Sequence, residues 1–205
     1  MRRDGADRVT LSPLFFELGI MSQSRNTVRI IGGEYRRRLL PFPDAQGLRP
    51  TPDRVRETLF NWLGQQLYGK SCLDLFAGSG ALGFEAASRE ARRVVMVEKS
   101  RVVAESLKAN RQLLSAASID VAQFDALAYL KGCRDRFDVV FVDPPFDTDL
   151  LTQVLPLLAQ VMSEDGLAYI ESRRWPEELP GWEVLKRAKA GQVHYGLLRR
   201  AAEPA

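Results

Sequence analysis

Four consecutive residues, Asp143-Pro144-Pro145-Phe146, carry the most specific chemistry in the sequence. The two prolines fix the backbone and remove two N–H donors, so the stretch offers carbonyls as acceptors only. Asp143 adds a carboxylate acceptor, and Phe146 a flat apolar face. A rigid set of acceptors beside an aromatic ring suits a planar group with an amine on its edge: the amine hydrogens are held and the nitrogen is aimed at an electrophile. An exocyclic amine is a weak nucleophile because its lone pair is conjugated with the ring. The electrophile must therefore be strong, as the sulfonium methyl of S-adenosylmethionine is. Such a transfer depends on positioning and on acceptors that strengthen as the nitrogen gains positive charge. It requires no histidine base, and His194, the only histidine, reads as a strand residue. A base inside a duplex cannot reach such a pocket, so a nucleic-acid target must be flipped out or single-stranded.

A second stretch, Asp74 to Gly83, points to the methyl donor. Gly78, Gly80 and Gly83 literally satisfy G-x-G-x-x-G, in which glycines let the backbone turn sharply toward a ligand and a helix N-terminus offers free N–H groups. That pattern alone leaves a nicotinamide dehydrogenase standing, although no second domain for a hydride acceptor is visible and the Pro-Pro box has no role in one. Glu98, 18 residues beyond Gly80, is placed to accept ribose hydroxyls. Asp125 is placed to accept from an adenine amino group, and equally to cap a helix beginning at Ala126. The adenosine-containing cofactor is thus expected to lie against Thr51, Asp74, Phe76, Ala77, Gly78, Ser79, Gly80, Glu98, Lys99, Asp125 and Ala126. No metal cluster is indicated, and the two cysteines, Cys72 and Cys133, form no disulfide framework.

The elements that must hold these residues alternate. Ser71–Phe76, Arg93–Glu98, Ile119–Phe124, Phe137–Val142 and Leu167–Glu171 read as strands. Between them, Gly80–Arg89, Arg101–Leu114, Ala126–Lys131 and Leu150–Met162 read as helices. Trp182–Ala188 and Val193–Arg199 look like a closing antiparallel pair. This alternation implies an α/β fold, an open and mostly parallel seven-stranded sheet with helices on both faces. Ligands then bind at the carboxyl ends of the strands. Ahead of the sheet, Val28–Ile31 and Tyr35–Leu40 read as a hairpin turning at Gly32-Gly33. Thr51-Pro52 reads as an N-cap and first turn of a helix whose apolar stripe is Val55, Leu59, Trp62, Leu63 and Leu67. The expected organisation is a mobile leader over residues 1–27, an N-terminal hairpin and helix over 28–67 that faces the substrate, and a catalytic domain over 68–205.

Hydrophobic residues make up 45% and charged residues 27% of the 205 residues, as in ordinary globular proteins. No apolar run is long enough for a membrane helix and the N-terminus lacks the pattern of a signal peptide, so no membrane association and a cytoplasmic location are expected. Net charge is +3, but residues 21–56 carry eight arginines against three carboxylates. A basic segment on a near-neutral body points to an anionic partner. A charge run alone is more often a solvated surface; if the segment binds, Arg29, Arg36, Arg37, Arg38, Arg49 and Arg54 are its candidate contacts, RNA-binding residues should the partner be RNA, with Arg37 and Arg38 expected on phosphates.

Several of these stretches resemble one family. Arg29-Ile30-Ile31-Gly32-Gly33, Leu48-Arg49-Pro50-Thr51, Arg54-Val55-Arg56-Glu57, Leu59-Phe60-Asn61, the Asp74–Gly80 loop and the Asp143–Phe146 box look like the RsmD-type 16S ribosomal RNA guanine-N2 methyltransferases. The resemblance covers about Val28 to Arg199. It implies a class I (Rossmann-like) methyltransferase fold and transfer from S-adenosylmethionine to N2 of one guanine of 16S rRNA, guanine 966 in that family. It also implies a partly assembled 30S subunit as substrate, and a monomeric enzyme is the expectation for this size. By position, Asp74, Gly78 and Gly80 would meet the methionine part of the cofactor, Glu98 the ribose and Asp125 the adenine. Asp143, Pro144 and Phe146 would hold the guanine, and Arg49 and Thr51 would border the methionine end or the RNA. The box by itself also tolerates adenine N6 in DNA or RNA, or a protein glutamine. The leader before Met21 and the Arg36-Arg37-Arg38 run are departures from the family pattern.

Overall fold

The computed structural model describes residues 26–45, 48, 50–146 and 148–202. The leader expected over 1–27 lies outside these except for Asn26 and Thr27, and Thr27 already opens the first strand. Arg49, among the candidate RNA contacts, also lies outside the described residues.

Nine strands and five α-helices are described: β1 (Thr27–Arg29), β2 (Leu39–Pro41), α1 (Asp53–Trp62), β3 (Ser71–Asp74), α2 (Ala81–Ser88), β4 (Arg93–Glu98), α3 (Arg101–Leu113), β5 (Ile119–Gln123), α4 (Ala126–Gly132), β6 (Phe137–Val142), α5 (Leu150–Leu158), β7 (Met162–Ser172), β8 (Trp182–Ala190) and β9 (Val193–Arg200). A short 3-10 turn, Ala159–Val161, follows α5, so the helix expected to run to Met162 ends early and Met162 instead begins β7. The large sheet has the order β5-β4-β3-β6-β7-β9-β8. Strands β3 to β7 run parallel, and β9 enters antiparallel between β7 and β8. Strand order reverses between β3 and β6, which opens a crevice at their carboxyl ends.

The apolar run of β6, Phe-Asp-Val-Val-Phe-Val, is buried on both faces because helices cover both. Val139 and Phe141 pack with Leu59, Phe60, Phe84 and Leu107 from α1, α2 and α3. Val140 and Val142 pack with Leu130, Val154 and Leu158 from α4 and α5. Cys72 lies in the first of these layers, and burial pushes its thiol up to about 12, so it behaves as a small core residue. Among the described residues no helix is long and apolar enough to cross a membrane.

The N-terminal hairpin departs from the expected one. Thr27–Arg29 pairs with Leu39–Pro41, and the turn falls at residues 34–37, with Arg37 rather than a glycine at φ +70° there. Gly32-Gly33 serves a different end: it docks the hairpin on the last turn of α2. Ser88 Oγ donates to the Gly32 carbonyl, while the Glu34 and Tyr35 N–H groups donate to the Ser88 carbonyl and Oγ. A Cβ at Gly33 would stand 1.7 Å from the Ser88 carbonyl oxygen, so no side chain fits there. Leu67, assigned to the α1 stripe by its spacing, is buried but lies beyond the helix end at Trp62.

Candidate functional site

Three strand ends converge on one cleft. At the end of β3, Asp74 is buried and accepts from the Gly83 N–H at 2.9 Å, which ties the strand to the first turn of α2. Between them Gly78 and Gly80 take φ values of +50° and +80°, a region that glycine enters without strain. A Cβ on Gly80 would meet Phe84 at 2.4 Å, and one on Gly78 would meet Leu48 at 2.8 Å, so the loop is packed from both sides. At the end of β4, the Glu98 carboxylate accepts from Gly78 N–H at 3.1 Å and from Ser100 N–H at 2.6 Å. In this structure it props the glycine loop. At the end of β5, Asp125 caps α4 by accepting from the Leu127 and Ala128 N–H groups, and pairs with Lys99 at 3.2 Å. The capping role weighed for Asp125 in the sequence is therefore real. Ala126 is buried beneath it.

The box follows β6. Pro144 is buried, Asp143 and Phe146 are half-buried and Pro145 is exposed. The Pro145 carbonyl already accepts from Thr148 Oγ1 at 2.7 Å, so one of the box's acceptors holds its own turn. Thr51 does not cap α1 as its type and position imply. Pro52 is the N-cap, and no side chain caps there. The Thr51 hydroxyl instead points across the cleft and donates to Asp143 Oδ2 at 3.4 Å. Of the basic candidates, Arg29 pairs with Asp53 at 2.6 Å beside the start of α1, and Arg54 is exposed on its first turn. Arg36 lies in the hairpin turn against the last turn of α2, on a groove of about 710 Å³ with Gln65 and Glu90. The eight residues of α2 span about 12 Å at ~1.5 Å per residue. The turn bearing Arg36, Arg37 and Arg38 is thus a full helix length from the glycine loop.

A residue that sequence reasoning missed completes the cleft. Glu171, near the end of β7, is buried next to Asp143 and Thr51, and Tyr169 Oη donates to its Oε1 at 2.8 Å. Burial pushes Asp74 and Asp143 up to about 7. Burial, together with the charge of Asp143, pushes Glu171 up to about 8. What acts on these three carboxyls is burial, the charges of neighbouring carboxylates, Glu98 among them, and neutral hydrogen-bond donors. A crevice so lined favours a ligand with a cationic centre. The only sequence signal for Glu171 was its place at a strand end of the parallel sheet.

These raised values have a consequence for stability. A carboxyl whose folded value lies above its unfolded one contributes stability that is full below about pH 4 and is lost as pH rises through the folded value. Glu171→Gln keeps the acceptor for Tyr169 but removes that titration. The variant is expected to melt about 4–8 °C above the parent near pH 9 and to converge with it near pH 4–5, read by thermal unfolding across pH. Identical pH slopes would refute the burial of a titrating carboxyl there.

The comparisons with known proteins agree with this geometry. The family described as "Conserved hypothetical protein 95" matches residues 28–199. Ribosomal RNA small subunit methyltransferase D of Escherichia coli (strain K12) is 43% identical over 181 residues, covering 86% of this chain and 91% of that protein. The protein of the same name from Haemophilus influenzae is also 43% identical, over 85% and 94% of the two chains. The chain belongs to the ribosomal RNA small subunit methyltransferase D family. A solved structure described as putative methyltransferase yhhF from Escherichia coli superposes with a TM-score of 0.78 at 42% identity, covering 87% of this chain and all of that one. The fold is the class I methyltransferase fold, with its sheet order, crevice and closing antiparallel strand as described above.

Proposed function

We propose that this protein transfers a methyl group from S-adenosylmethionine to the exocyclic N2 of a single guanine in small-subunit ribosomal RNA, presented by a partly assembled subunit. The observation that carries the reading is the Asp143–Phe146 box at the switch point of the sheet, facing the glycine loop, with Asp143 held by Thr51. The names of the similar proteins from Escherichia coli and Haemophilus influenzae support an rRNA substrate.

The residues present fit the donor. Gly78 and Gly80 take backbone conformations open to glycine, which turn the chain sharply between β3 and α2, and the buried carboxyls suit a cationic sulfur. When bound, S-adenosylmethionine supplies an electrophilic methyl group. Asp74 and the loop from Phe76 to Gly80 would hold its methionine end, Glu98 and Lys99 would border the ribose, and Asp125 and Ala126 the adenine. Phe146 offers a face on which a flipped-out guanine stacks. Asp143 accepts from the guanine amine and steadies the positive charge that develops on nitrogen. Burial raises both Asp143 and Glu171, and the Asp143 charge raises Glu171 further, so the pair resists carrying two negative charges beside the amine.

The test is incubation with labelled S-adenosylmethionine and immature small subunits, followed by nucleoside analysis. Label in N2-methylguanosine is the expected result. Label on adenine, label in a subunit protein, or none would overturn the base assignment.

A further inference from the structure

Part of the charge that stood out in the sequence lies away from the box. Of the eight arginines in residues 21–56, Arg56 is fully buried and Arg29 is held by Asp53, while Arg36 to Arg38 sit at the far end of α2. A different set of cations reaches the box from the other side. Strand β7 runs parallel to β6, so its end opens beside Asp143–Phe146, and the two residues after it are the exposed Arg173 and Arg174. The Arg173 guanidinium lies over the Phe146 ring, 5.9 Å from its centroid. Next comes Trp175, which lies across Gly196 so closely that a Cβ there would be 2.4 Å from the indole. The Arg187 guanidinium of β8 lies over that indole, 4.6 Å from the ring centroid.

The register extends the row. Ser172 pairs with His194, and His194 with Lys189, so Lys189 lies level with the end of β7 on the outermost strand. Arg187 pairs with Gly196, two residues along from His194, so Arg187 and Lys189 stand two residues apart on β8. Residues 184–198 contain no Asp or Glu, and Glu183 is taken up by Arg199 at 2.7 Å toward the opposite end of β8. The result is a stripe in which guanidinium groups alternate with aromatic rings, Arg187-Trp175 then Arg173-Phe146, ending at the box.

We propose that this stripe, Arg173, Arg174, Trp175, Arg187 and Lys189, is a second RNA-binding surface that tracks the single-stranded phosphate backbone flanking the target nucleotide. It rests on the reading of the protein as an rRNA methyltransferase. Exposed cations in a row are the chemistry that tracks a nucleic-acid backbone: each neutralises a phosphate, and the Phe146 and Trp175 rings hold Arg173 and Arg187 in place along the row. The edge position of β8 leaves one flank of the strand open to a long partner.

The test uses the full chain and measures binding to immature small subunits and to a short single-stranded RNA across a salt series, with methyl transfer followed in the same preparations. Arg187→Gln/Lys189→Gln is expected to weaken RNA binding about tenfold at low salt and to lower the slope of log affinity against log salt by about 1–1.5, since each phosphate contact on a single strand adds ~0.7. Affinity for S-adenosylmethionine should stay at the parent's value, and the melting temperature within about 4 °C of it, the allowance for the lost contact between Arg187 and Trp175. Arg187→Lys/Lys189→Arg, which keeps the charges, should keep the slope. A parent that methylates RNA beside a double variant of unchanged slope would overturn the surface and leave the function intact. A parent that neither binds nor methylates RNA would overturn the function, and the surface with it.

Discussion

Asp143→Ala is expected to slow methyl transfer from the bound cofactor by about 10²–10³-fold, the loss typical of removing one preorganised group from the charge developing in a transition state. Asp143 is placed for this by elements far apart in sequence: β6 carries it to the switch point, and Thr51 fixes one carboxylate oxygen from the opposite wall. The alanine variant should not unfold. Its removed carboxyl is one whose value burial lifts to about 7, so at pH 8 the folded state loses a destabilising charge rather than a support. Activity and stability should thus move in opposite directions, which no general disruption would produce. Asp143→Asn, which keeps a carbonyl acceptor but not the charge, should lose only about tenfold. Single-turnover transfer to small subunits, with calorimetric binding of S-adenosylmethionine, separates chemistry from binding. Full activity in Asp143→Ala would remove the box from the mechanism.

What could be read in the sequence was whatever depends on neighbours in sequence. The strands announced themselves as apolar runs, and their ends fell where glycine, Pro-Pro and acidic residues interrupted those runs, so the loop and the box were legible together. Roles that depend on a partner from a different element, distant in sequence, were not. Thr51-Pro52 has the composition of a helix start, yet the hydroxyl's partner is Asp143, 92 residues on. Gly32-Gly33 has the composition of a tight turn, yet its partner is Ser88. Arg56 counted as surface charge although it is 1% exposed, because nothing near it in sequence reveals Glu85. Glu171 passed unnoticed because a lone glutamate at a strand end has no distinguishing pattern until Asp143 is brought beside it.

Glu85→Ala is expected to cost about 3–5 kcal/mol, the loss seen when one partner of a buried ion pair is removed and the other stays buried. Glu85 is fully buried in α2 and accepts from four groups: the Ile31 and Gly32 N–H at 2.9 Å each, Arg56 Nη1 at 3.2 Å and Arg89 Nε at 2.9 Å. It therefore joins the hairpin, α1 and α2 at one carboxylate. Without it, Arg56 and Arg89 keep their other bonds, to Asp53, Thr51 and Gln65, but two guanidinium groups share a buried site with no charge between them. For a chain of this size the melting temperature should fall by about 10–15 °C. Glu85→Gln, which keeps an acceptor, should fall by roughly half as much. The loss also reaches the cleft, because Arg56 Nε donates to the Thr51 carbonyl at 3.1 Å and the Thr51 hydroxyl holds Asp143. Below its melting temperature Glu85→Ala should therefore show a lowered transfer rate along with a near-normal cofactor affinity. A melting temperature within about 2 °C of the parent would mean that the hairpin and α1 are held by apolar packing through Ile30, Leu40 and Leu59, with Glu85 merely tolerated.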